Sequence, residues 1–236
     1  MTQPDLHPRT VNPSTPGRLA AFGGLGFAVA SIAGDLAIGP FPGPATPASQ
    51  LVPFYAAHHA QVLAGGMLLG LGGVLFVPFG LAVWARIRQA PASPLLAGLA
   101  VIATTLVAVT TLAGAGVYGV LGDIGGQPGI SPAALQAWHI MGSEGSLADG
   151  ASTFLFLLTA ALAGLAARAV PRWLAWSALL LAVLSLLPGP FGFLASMVFL
   201  AWTAAAGITF LVLGARQPRP HLVHAITVPA EEVRHA

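Results

Sequence analysis

Six long apolar stretches, separated by short polar or proline-rich breaks, organise the chain. They cover roughly Arg18–Ile38, His58–Trp84, Pro94–Leu121, Ala133–Ala167, Trp173–Leu187 and Phe191–Gly214. A helix needs about 20 apolar residues to cross a hydrocarbon core about 30 Å thick. The pattern therefore predicts an all-α, polytopic transmembrane bundle of six helices. Residues 1–17 read as a disordered, Pro- and Thr-rich tail, 18–215 as the six-helix domain, and 216–236 as a second polar tail. The fourth stretch is too long to lie wholly in lipid. The first, a basic tail followed by an apolar run and Ser31-Ile32-Ala33, also fits a secretory signal, although its apolar part exceeds the usual 7–15 residues.

Charge then orients the bundle. The chain has nine basic residues, all arginine. Arg9 and Arg18 precede the first stretch, Arg86 and Arg88 follow the second, and Arg168 and Arg172 follow the fourth. Arg216, Arg219 and Arg234 follow the sixth. The other connections, 40–57, 122–136 and 188–190, carry no basic residue. Basic residues are retained on the cytoplasmic face, so both termini are expected there, in the inner membrane of a cell.

Composition closes off several classes. Only 7% of residues are charged and 56% are hydrophobic, against about 25% charged in soluble domains. The mean hydropathy is +0.83. A pI near 9.9 does not indicate nucleic acid, because the arginines are scattered over juxtamembrane sites and form no stripe. With no cysteine there are no disulfides or thiolate metal sites, and with no lysine no Schiff base. No phosphate loop, GxSxG or HExxH occurs. Three outer histidines are too shallow for paired haem ligation, and no cofactor is expected.

The remaining chemistry is sparse and lies toward the outer side. Apart from the tails it consists of Asp35, Asp123, Glu144, Asp149, His58, His59 and His139. At 1.5 Å per residue, Asp35 stands about 25 Å above Arg18 and Asp149 about 28 Å above Arg168, both within the hydrocarbon. Glu144, at about 36 Å, and the histidines and Asp123, at about 40 Å or more, reach the headgroup zone. An ionisable residue at membrane depth is a functional hypothesis by default. On the fourth helix His139, Ser143, Ser146, Asp149 and Thr153 fall within a sector of about 120°. On the second, His58 and Gln61 share a face leading to Gly65. No cation lies on this half, so the two aspartates must be protonated, hydrogen-bonded to Ser, Thr or Tyr, paired with a histidinium, or neutralised by a bound cation.

Each candidate also has a plainer role. The histidines suit an interface, Asp123 after Gly122 suits a helix-ending turn, and Thr104, Thr105, Thr110 and Thr111 can bond to their own helix carbonyls. Gly66 and Gly70 have the spacing of close helix packing. Trp173 and Trp176 beside Arg172 form an inner aromatic belt.

Phe54-Tyr55-x-x-His58, the basic turn Arg86–Arg88 and Pro171-Arg172-Trp173-Leu174-Ala175-Trp176 together resemble small bacterial multi-pass membrane proteins grouped under a domain of unknown function. The resemblance implies a helical membrane bundle and carries no catalytic residue. The expectation is thus a small transporter-like or ligand-binding bundle rather than an enzyme. Its outer vestibule, lined by Asp35, His58, Gln61, His139, Ser146 and Asp149, would bind a proton, small cation or small polar ligand. The alternatives are a structural or accessory subunit without chemistry of its own, and a metal-dependent enzyme using His139, Glu144 and Asp149.

Overall fold

The computed structural model describes residues 15–90, 94–125, 127, 129–187 and 190–216. Of the residues expected as tails, 1–17 and 216–236, those at 1–14 and 217–236 lie outside that set, while 15–17 and Arg216 belong to helices. Among the described residues every regular element is α-helical: α1 (Thr15–Ile38), α2 (Ala48–Gln89), α3 (Pro94–Gly125), α4 (Pro132–Glu144), α5 (Ser146–Ala167), α6 (Arg172–Leu184) and α7 (Pro190–Arg216). Five spans are long and apolar enough to cross a membrane: α1, α2, α3, α7, and α4 with α5 taken together. The chain is a multi-pass helical membrane protein.

Three boundaries differ from expectation for physical reasons. α2 does not start at His58 but at Ala48, and its 42 residues measure about 63 Å. Its outer end is held by a small second core in which Leu51, Tyr55 and Val62 of α2 meet Leu121 of α3 and Leu135 of α4. Pro53 and Pro78 both lie inside this helix, where a proline removes one ladder bond without stopping a chain packed on its neighbours. The fourth stretch is two helices separated at Gly145, which stays right-handed (φ −57°, ψ −21°). The fifth stretch yields only the 13 residues of α6, about 20 Å long, which falls short of the hydrocarbon thickness.

α6 nonetheless runs back along α5. Gly164 of α5 packs on Val170 and on Ala175 of α6, while Gly150 packs on the Ser185 carbonyl just past the end of α6. The end of α6 therefore lies beside the first turn of α5, next to Asp149.

Lipid tails supply no hydrophobic drive between helices, so close packing and interhelical bonds must hold them. Gly23 of α1 has room for no side chain, because a Cβ there would stand 2.5 Å from the Phe79 nitrogen of α2. Gly66 packs on Ala115 and Gly119 of α3, as its spacing predicts. The main core is aromatic: Phe27, Phe76, Phe156 and Phe199 meet edge to face, and Trp202 stacks on Phe199. The indole of Trp202 donates to Ser177 Oγ at 3.1 Å, tying α7 to α6. At the arginine-bearing end, Arg86 donates to the Phe210 carbonyl at 3.1 Å and lies over the Phe210 ring. Gly17 packs on the same carbonyl, so the start of α1 and the ends of α2 and α7 meet there.

Candidate functional site: an acidic cavity between α1, α3, α5 and α7

Asp35 and Asp149 line one cavity of about 280 Å³. They arrive from helices far apart in sequence. Asp35 sits one turn before the end of α1, and Asp149 lies in the first turn of α5. Phe27 and Ser31 precede Asp35 along the same face of α1, and Thr153 follows Asp149 by one turn of α5. α3 contributes Thr111, Gly114, Ala115 and Tyr118, and α7 contributes Ser196, Phe199 and Leu200. Asp35 is exposed at the rim, whereas Asp149 is half-buried. Tyr118 lines the same cavity as both carboxylates. Among the described residues that line the cavity, none is basic.

The cavity retains hydrogen-bonding capacity. Ser31 is 5% exposed, and its Oγ has no partner among the described atoms. Most other hydroxyls in the bundle bond back to their own helices as expected, including Thr104 to Ala100, Thr105 to Val101 and Thr111 to Val107. Thr110 adds a link between helices, reaching Ser152 Oγ at 3.0 Å.

The histidines do not join the aspartates. His139 is fully buried, with Nε2 3.0 Å from the Gly43 carbonyl and Nδ1 2.9 Å from the Tyr55 hydroxyl. A carbonyl can only accept, so Nε2 carries the proton, and in the neutral ring Nδ1 accepts from Tyr55. The ring also stacks on Phe41 at 5.2 Å. His139 thus pins α4 to α2 and to the first outer loop, with neither nitrogen left for a ligand. His58 donates from Nδ1 to the Phe54 carbonyl one turn back and stacks on the Phe54 ring. His59 and Gln61 are exposed, and neither lines the cavity.

The polar stripe expected along the fourth stretch is therefore divided. Asp149 and Thr153 face the cavity, His139 faces the outer core, and Ser143 bonds back to the His139 carbonyl. The side chains of Ser146 and Glu144 lie outside the described residues. Among the described residues no three metal-ligating side chains come together; the trio expected for a metal-dependent enzyme includes the Glu144 side chain, which lies outside them.

Beside Thr153, which the helical phase had placed on the polar stripe, the polar lining residues Ser31, Thr111, Tyr118 and Ser196 were not singled out for the vestibule from sequence. Ser31 and Asp35 stand at i and i+4, and Thr111 and Tyr118 at i and i+7, each pair on one helix face. That spacing was the available signal for three of them. Nothing comparable marks Ser196.

Comparison with protein-family models, with curated proteins and with solved structures finds no match to this chain.

Proposed function

We propose that this chain is a small transporter-like protein of the inner membrane whose outer cavity binds a proton or small cation between Asp35 and Asp149. One observation carries the reading: two carboxylates from different helices line a single cavity whose described lining contains no basic residue. A buried carboxylate is costly unless its charge is offset. Here the offset comes from a proton or from a bound monovalent cation, with hydroxyls from Thr111, Thr153 and Tyr118 as neutral oxygen partners. A hard cation favours such an all-oxygen environment over imidazole. The half-buried Asp149 is the principal ligand and the rim-exposed Asp35 is the first carboxylate an incoming cation meets.

The arginine pattern supports placing the cavity on the non-cytoplasmic side, with the described arginine-bearing ends of α1, α2 and α7 inside. Flux assays in proteoliposomes test the proposal, using a proton gradient and, separately, sodium or potassium gradients. The wild-type chain is expected to move one of these ions, and Asp149→Asn to abolish that movement while the protein stays folded. Equal flux from the wild type and from a variant with both aspartates changed to asparagine would refute it. An absence of flux with any of the three ions would equally remove the transport reading.

A further inference from the structure

A second recess of about 280 Å³ lies between α2 and α3, and its chemistry is entirely different. Val77, Leu81 and Trp84 of α2 and Val101, Ala108 and Leu112 of α3 form its walls. Thr104 and Thr105 also border it, but both hydroxyls are turned into α3, to carbonyls at 2.7 and 3.0 Å. The groove therefore presents carbon. It also faces outward, with Leu81 48% and Val109 54% exposed. Gly80 forms its floor, where Thr104 nests against the bare backbone.

Its length and its lower end identify the occupant. From Val101 to Leu112 the α3 wall runs about 16 Å, close to half of a hydrocarbon core about 30 Å thick. A single acyl chain occupies one leaflet, and the groove matches that length. At the arginine-bearing end the groove closes on Trp84, and the Arg88 guanidinium lies 5.3 Å over the Trp84 ring. That stack holds a cation on the aromatic side chain that closes the apolar slot. We infer that the α2–α3 groove is a binding site for an anionic phospholipid of the arginine-side leaflet, one acyl chain lying along Leu81 and Val109 and the phosphate meeting Arg88. The inference is independent of the carboxylate cavity and of any transport.

Native mass spectrometry of the full chain, exchanged into mixed micelles of phosphatidylglycerol and phosphatidylcholine with identical acyl chains, tests it. One phosphatidylglycerol is expected to stay bound with about a fivefold preference, the scale of one basic residue near an anionic headgroup. Arg88→Ala should equalise the two lipids, and Arg88→Lys should restore the preference. Val109→Trp, which fills the slot from its exposed side, should reduce retention of both. The proposal is overturned if the wild type shows no preference, if Arg88→Ala keeps it, or if Val109→Trp leaves lipid retention unchanged. The chain has no cysteine, so Val109→Cys would supply its only thiol. Efficient disulfide dimerisation of that variant in native membranes would assign the groove to a second copy instead.

Discussion

His139 and Asp149 stand ten residues apart on what hydropathy reads as a single helix, yet they belong to two regions with opposite hydrogen-bonding states. Around His139 the chemistry is closed. Both ring nitrogens, the Tyr55 hydroxyl and the Gly43 carbonyl are paired with one another, and aromatic rings pack the remaining faces. Around Asp149 there is open space, a second carboxylate, and a buried serine hydroxyl without a partner. The polar atoms of a saturated cluster specify structure, because each already has its partner. An unsaturated cluster keeps the capacity to take a ligand. Depth separates them too: the histidine core sits on the outward extension of α2, whereas both aspartates lie below it.

The comparison breaks first at the aspartates. Asp149→Asn should weaken proton or cation binding by roughly 10- to 100-fold, the scale of hydrogen bonds to a charged group, with little change in melting temperature. Isothermal titration or a binding-dependent thermal shift would read this, and an unaltered affinity would move the cavity into the structural class. His139→Ala should show the reverse behaviour. It leaves the buried Tyr55 hydroxyl unpaired at about 1–3 kcal/mol and removes the bond to the loop carbonyl of Gly43, so unfolding in detergent should occur at clearly lower denaturant. Ion binding in the still-folded protein should persist.

A smaller effect is expected from Tyr55→Phe, which removes one buried donor and leaves His139 Nδ1 unpaired, for about 1–2 kcal/mol. If that variant were as stable as the wild type, the latch at His139 would be carried by Gly43 and Phe41 alone. Ser31→Ala sharpens the contrast most finely. Since Ser31 Oγ has no partner among the described residues, its removal should leave stability unchanged or slightly raised. A measurable loss of ion affinity in Ser31→Ala would make it a ligand, and unchanged affinity would make it merely a neighbour.

Much of the architecture was legible from residue order. Hydropathy located all six stretches, and the arginine alternation implied which ends meet, as the contact of Gly17 and Arg86 with Phe210 illustrates. The small-residue spacing at Gly66 correctly implied close packing on α3. Boundaries were less legible. The segment from Ala48 to Ala57 carries two features of a loop, Pro53 and a proline-rich approach, but becomes helix because Leu51 and Tyr55 find a core built by α3 and α4. Its partners, Leu121 and Leu135, are distant in the chain, so no local pattern could reveal them. The shortness of α6 was likewise concealed by Ser185-Leu186-Leu187, apolar enough to extend the helix but in fact turning toward α7.

The candidate site shows the same division. Asp35 and Asp149 were identifiable because charge at membrane depth is expensive wherever it occurs, a property of each residue and its distance from the nearest arginine. His139 was grouped with them on helical phase alone. Phase states which way a side chain leaves its own helix and is silent on what another helix brings to meet it.

Residue order alone therefore determined the class of the protein, its apolar stretches and the rarity of its charges, all of which follow from transfer energies summed along the chain. Only the tertiary structure decided which polar groups satisfy each other. Hydrogen bonding is a matter of pairs within about 3 Å, and those pairs, His139 with Tyr55 and Gly43, or Asp35 sharing a cavity with Asp149, are assembled by helix packing across more than eighty residues of sequence.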